Sequence, residues 1–124
     1  LPPWLATMGE IDHLTLDQLV LFGSSLGGGA IIPLIVEFEP AALIAISPGG
    51  ELNEEVLMSL NYGESPTLFI AGKDDPLGAQ ERALEYTQEA FRGTYLLNSS
   101  DGHGTVLLPL VQAYIMTFLE QNVK

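Results

Sequence analysis

Four short apolar runs punctuate the chain, at 18–22 (QLVLF), 42–47 (ALIAIS), 67–71 (TLFIA) and 94–97 (TYLL). Each is nearly continuous in hydrophobicity and bounded by turn residues. Continuity at this length suits strands covered on both faces, where alternation would mark a sheet with one wet face. Between these runs the apolar spacing becomes helical. It predicts a helix over 26–37, with Pro33 as an internal kink or early stop. A short second helix follows over 53–60, with Asn53 as N-cap ahead of Glu54 and Glu55. A third, amphipathic, runs over 79–91 and ends at Arg92 and Gly93, positive charge followed by glycine. The last covers 106–121, with Val111, Ile115 and Phe118 among the residues of one broad apolar face and Pro109 in its first turn.

Strand followed by helix, four times over, predicts an α/β fold. Its sheet is parallel, of about four strands, with right-handed crossovers and helices on both faces. Residues 18–124 read as one domain, incomplete at its N-terminal side, and 1–17 as the end of a preceding helix and its linker. The start, Leu1-Pro2-Pro3-Trp4, has neither an initiator Met nor the regions of a signal peptide and reads as the middle of something longer.

Composition adds exclusions. A chain of 124 residues, 47% hydrophobic and 16% charged, sustains one buried core. Sixteen acidic residues against four basic ones give a charge of −12, which repels phosphate backbones. Nucleic acid and anionic membrane surfaces are therefore poor partners. The acidic residues are scattered and read as a solvated face. Absence of cysteine removes disulfides, thiolate nucleophiles and cysteine metal sites, and leaves the compartment open. No apolar run reaches the roughly 18 to 20 residues needed to span a bilayer.

The strongest chemical signal is Gly23-Ser24-Ser25-Leu26-Gly27, a Gly-x-Ser-x-Gly pattern directly after a strand and before a helix. A nucleophile on so sharp a turn is exposed for attack. The strained backbone asks for residues without side chains two before and two after it. The backbone N–H of Leu26, at the start of the helix, is then placed to stabilise an oxyanion. Alone the pattern is weak, because a glycine-rich turn also serves helix–strand packing; its companions decide.

A serine hydroxyl needs a base, usually histidine. His13 lies in a polar stretch before the first strand and reads as solvated. His103 lies between glycines in the loop after the fourth strand. In a parallel sheet that loop emerges at the same edge as the Ser25 turn. The third strand ends there too, in Gly72-Lys73-Asp74-Asp75-Pro76, which offers two carboxylates to orient the imidazole. One of Asp74 and Asp75 is then a turn or capping residue. The order serine, acid, histidine is that of one fold in particular.

At these residues the chain resembles the α/β-hydrolase superfamily, in its small lidless branch related to dienelactone hydrolases and simple carboxylesterases. The stretches that carry the resemblance are GSSLGG at 23–28, AISPGG at 45–50, LFIAGKDDP at 68–76 and GHGT at 102–105. It implies Ser25 as nucleophile, His103 as base and Leu26 as oxyanion donor. The family acid usually stands three residues after the strand-end glycine, which from Gly72 points to Asp75. The resemblance covers the C-terminal half of the family fold. Similar proteins have further strands before the nucleophile strand, and one of their loops supplies a second oxyanion donor. The strand at 18–22 thus becomes an edge, expected to be covered by a missing N-terminal segment or a partner chain.

The expected activity is hydrolysis of small-molecule carboxylic esters through an acyl-enzyme, with thioesterase or peptidase chemistry open to the same machinery. A non-catalytic fragment or interaction module is the alternative from another class. A nucleotide site at Gly27-Gly28-Gly29 lacks the lysine of a P-loop. No cofactor is expected. Two histidines without cysteine make a poor metal site, although Asp101 beside His103 could hold a cation weakly.

Overall fold

The structure, a computed structural model, describes residues 19–100 and 102–123. The expectations for 1–17, His13, Gln18 and Asp101 lie outside the described residues. Strands β1 (Val20–Ser24), β2 (Ala42–Ile46), β3 (Thr67–Gly72) and β4 (Gly93–Asn98) pair in that order, all in parallel. The helices are α1 (Leu26–Ala30), α2 (Leu34–Phe38), α3 (Glu54–Tyr62), α4 (Ala79–Glu89) and α5 (Leu108–Asn122), with a 3₁₀ turn at Gly104–Leu107 before the last.

Side chains of the central strands point alternately to the two faces of the sheet and so sort the core into two layers. Leu43 and Ala45 of β2 and Phe69 and Ala71 of β3 pack with Ile35, Val56, Leu60, Ala83 and Tyr86 of α2, α3 and α4. Their neighbours Ala42, Ile44, Ile46, Leu68 and Ile70 pack on the other face with Leu107, Val111, Ile115 and Phe118. Every residue of β2 and β3 is buried, which accounts for their continuous apolar sequences. The outer strands are only partly covered, and Phe22 of β1 is 44% exposed.

Several boundaries differ from expectation, each for a local reason. The first strand is shifted towards the rim, because pairing with β2 runs from Val20 opposite Ala42 to Ser24 opposite Ile46, whatever the apolarity of those positions. The helix expected over 26–37 is two short helices. Three glycines weaken the first turn, and Pro33, which lacks an N–H, breaks the ladder and becomes the N-cap of α2. Helix α4 ends at Glu89, short of Phe91, where the Phe91 N–H turns away to the Leu60 carbonyl. Gly93 opens β4; a Cβ there would lie 2.8 Å from the Thr87 carbonyl, so close approach, rather than a helix cap, asks for glycine. The last helix opens with the 3₁₀ turn, and Pro109 sits in the first turn of α5 as expected. Asn53 caps α3 through its side chain, which accepts from the Val56 N–H at 2.9 Å.

Tyr86 ties α4 to the loop after β2. Its ring packs against Phe69, with centroids 5.8 Å apart, and its hydroxyl donates to the Gly49 carbonyl at 2.9 Å. Burial raises its phenol above the ordinary value of 10.0. In the unfolded chain that phenol ionises first, so its stabilising contribution is intact below about pH 10 and is lost as pH rises further. Tyr86→Phe is expected to lose about 1–2 kcal/mol at neutral pH, because the Gly49 carbonyl loses its partner. Urea unfolding across the alkaline range should show a shallower decline in the variant than in the wild type.

Candidate active site

Three strands deliver their carboxyl ends to one rim of the sheet, where Ser24, Ile46 and Ile70 stand level. Just beyond that level the backbone enters left-handed space at three non-glycine residues: Ser25 (φ 54°), Ser47 (φ 48°) and Asp74 (φ 59°). Such conformations cost about 1–3 kcal/mol each and persist only where the surroundings impose them.

The surroundings of Ser25 are visible in its backbone bonds. Its N–H donates to the Ile46 carbonyl at 2.9 Å, and its carbonyl accepts from the Gly49 N–H at 2.7 Å. The turn is therefore pinned on both sides by the end of β2. Gly23 is needed, since a Cβ there would lie 2.6 Å from the Gly27 carbonyl. Gly27 is not: a Cβ there would meet nothing within 4 Å, which corrects the expectation that both flanking glycines are sterically required. The demanding position is Gly29, which is buried and faces the Gly49 carbonyl as α1 crosses the β2 loop. Within this glycine run the N–H groups of Gly28 and Gly29 donate to the Ser25 carbonyl, so they are not free to cradle a phosphate.

The structure brings Ser25, His103 and Asp75 into one hydrogen-bonded series. Ser25 Oγ lies 3.0 Å from His103 Nε2, and His103 Nδ1 lies 2.6 Å from Asp75 Oδ2. The Asp75 side chain is fully buried and that of His103 is 22% exposed, so the acid end is dry and the imidazole is open on one side. The other oxygen of Asp75 accepts from the Leu77 N–H at 2.7 Å, fixing the carboxylate plane. Asp74 points elsewhere; it is exposed, and its N–H donates to Gln80 Oε1. Of the two carboxylates left open by the sequence, Asp75 is the one that meets the imidazole.

The distance between the acid and histidine loops is set by backbone approach. A Cβ on Gly72 would come within 2.5 Å of the carbonyls of Ser100 and Gly102. The histidine loop is also braced by Asn98 Oδ1, which accepts from the Ser100 N–H, and by Ser100 Oγ, which accepts from the Gly102 N–H. On the far side of His103, Gly104 donates its N–H to Ser47 Oγ at 2.9 Å. Arg82 links the acid loop to the β2 loop, giving Nε–H to the Pro48 carbonyl and Nη2–H to that of Leu77. None of these braces stood out in the sequence, although a serine ahead of Pro48-Gly49-Gly50 at a strand end was the available cue.

Leu26 opens α1 and is 76% exposed as a residue; as the first N–H of the helix, its amide has no acceptor within the helix. A cavity of about 250 Å³ adjoins it, lined by Leu26, Gly29, Gly50, Glu51, Val56 and Tyr86 among others. A larger cavity of about 400 Å³, between Glu39, Ser65 and Arg92, lies at the opposite end of the strands, away from these groups.

With this geometry in place, comparison with known proteins is informative chiefly about the fold. No family model matches the sequence, and no curated protein matches it. Among solved structures the chain is similar to a "predicted CIB-like hydrolase" from Thermoplasma acidophilum, with a TM-score of 0.68 and 18% identity. The match covers 93% of this chain and 55% of that one, so the chain spans about half the length of the structure it resembles. The chain has an α/β-hydrolase fold: four parallel strands with helices around them. Among the described residues no helix is long and apolar enough to cross a membrane.

The glycine contacts give a sharp contrast. Gly23→Ala should destabilise by about 1–3 kcal/mol through overpacking. Gly27→Ala, in open space within a helix, should be neutral or stabilising by up to about 1 kcal/mol. Chemical denaturation of the two variants checks both.

Proposed function

We propose that this chain carries the catalytic residues of a serine hydrolase that cleaves carboxylic esters through an acyl-enzyme. The single observation that carries this reading is the series Ser25 Oγ, His103, Asp75, with separations of 3.0 and 2.6 Å. In that series the neutral imidazole keeps its proton on Nδ1, facing Asp75, and turns the Nε2 lone pair to the serine hydroxyl. Ser25 Oγ attacks the ester carbonyl while its proton passes to His103 Nε2. The carbonyl oxygen becomes an oxyanion, stabilised by the Leu26 N–H. As the C–O bond to the alcohol breaks, His103 returns the proton to the leaving oxygen. Water then takes the alcohol's place, gives its proton to His103 and attacks the acyl carbonyl. The carboxylic acid leaves as Ser25 recovers its hydrogen. Asp75 holds the tautomer and stabilises the imidazolium without itself becoming protonated.

Thioesters and amides meet the same machinery, so the acyl-transfer step is common to all three. The partially covered β1, with Phe22 exposed, is in this reading completed by a further segment or partner chain that also brings a second oxyanion donor. The same exposed edge supports a second reading, a non-catalytic module that docks through β1. Covalent capture separates the two. A fluorophosphonate should label wild-type Ser25 and fail to label Ser25→Ala. Asp75→Asn should slow labelling by about 10⁴-fold, while Asp74→Asn leaves it unchanged. A folded wild-type protein that does not react would support the non-catalytic module.

A further inference from the structure

We propose that Ser47 is a positioning residue whose hydroxyl sets the separation between Ser25 and His103; the inference rests on the serine-hydrolase reading above. Ser47 follows the last residue of β2, is fully buried and has a left-handed backbone (φ 48°). Glycine is the unstrained occupant of such a position, and two glycines follow close behind at Gly49 and Gly50. A serine there has a strain penalty that needs a compensating interaction.

The compensation is visible. Ser47 Oγ accepts the Gly104 N–H at 2.9 Å, across 57 residues of sequence. Gly104 is the residue after His103, is buried, and is itself left-handed (φ 71°), so without the hydroxyl its N–H would be a buried donor with no partner. The neighbours of Ser47 complete the device. Ile46 takes the Ser25 N–H, Gly49 gives its N–H to the Ser25 carbonyl, and the Ser47 N–H donates to the Ile70 carbonyl of β3 at 2.6 Å. One four-residue segment, 46–49, therefore grips the backbone of the nucleophile on one side and the loop of the base on the other. It acts as a ruler for the 3.0 Å contact between Ser25 Oγ and His103 Nε2. A proton transfer depends steeply on that length, and a misplacement of the order of 1 Å lowers turnover by about 100-fold.

The test is made on the full chain with three variants. Ser47→Gly removes the hydroxyl and relieves the left-handed strain; Ser47→Ala removes the hydroxyl alone; Ser47→Cys keeps a weak acceptor. Fluorophosphonate labelling is resolved into the probe affinity and the maximal rate of modification. The proposal expects the maximal rate to fall about 10- to 100-fold in Ser47→Gly and Ser47→Ala, less in Ser47→Cys, with probe affinity unchanged. A fall in the maximal rate at unchanged probe affinity, read on variants whose thermal unfolding shows them folded at the assay temperature, is the readout that a purely structural role would not move. A maximal rate equal to wild type in the glycine and alanine variants overturns the role of Ser47 and leaves the hydrolase reading standing. A folded wild type that is not labelled overturns the hydrolase reading, and the proposal with it. Should the variants not fold, amide exchange in the wild type still decides: slow exchange at Gly104 is required, and exchange at the rate of an open loop contradicts the bond.

Discussion

Two backbone hydrogen bonds, from Ser25 to Ile46 and from Gly49 to Ser25, hold the sharp turn on which the rest of the site depends. They join the end of one strand to the loop after its neighbour, so the place of Ser25 at the rim is a consequence of sheet register. That register places Ser24 opposite Ile46, and the chain must leave the sheet at the next residue with both its polar groups already committed. A left-handed serine is tolerated because the alternative would break two bonds and lose the packing of α1 over the β2 loop. The same economy of short, buried contacts explains why glycine sits at 23, 29 and 72.

Burial is unequal along the hydrogen-bonded series. Asp75 is enclosed and both its oxygens are engaged, so its carboxyl group is fixed in place. His103 has one side against that carboxyl group and is open on the other, which the proposed proton transfers require. Ser25 is half-buried at the rim. That gradient from dry acid to more accessible hydroxyl is what the proposed acyl transfer draws on.

Much of this was legible in the sequence because strong local patterns mark it. The all-buried strands β2 and β3 announce themselves by continuous apolar runs, and Ser25 by its glycines and its place between strand and helix. The order of serine, acid and histidine, with all three at strand ends, narrowed the fold. Asp75 was separated from Asp74 only by the spacing that resemblance supplies; in the structure the distinction is a matter of which side chain the turn after Gly72 directs inward. What stayed hidden was long-range. The bond from Ser47 to Gly104 joins residues that no local pattern connects, and the open space beside Gly27 depends on how α1 crosses a loop more than 20 positions away. The break between α1 and α2 was half legible: Pro33 gave the stop, while the unwinding before it came from glycines whose first duty is packing.

The proposed reaction passes its acyl group through the Ser25 oxygen. It is tested most directly by stopping an activated-ester reaction in acid within the first turnover and mapping any acyl adduct by mass spectrometry. One acyl mass is expected on the peptide that carries Ser25, localised to that residue and gone after turnover completes. An adduct confined to Ser24 or to a surface residue, or hydrolysis that proceeds with no adduct at all, would contradict it.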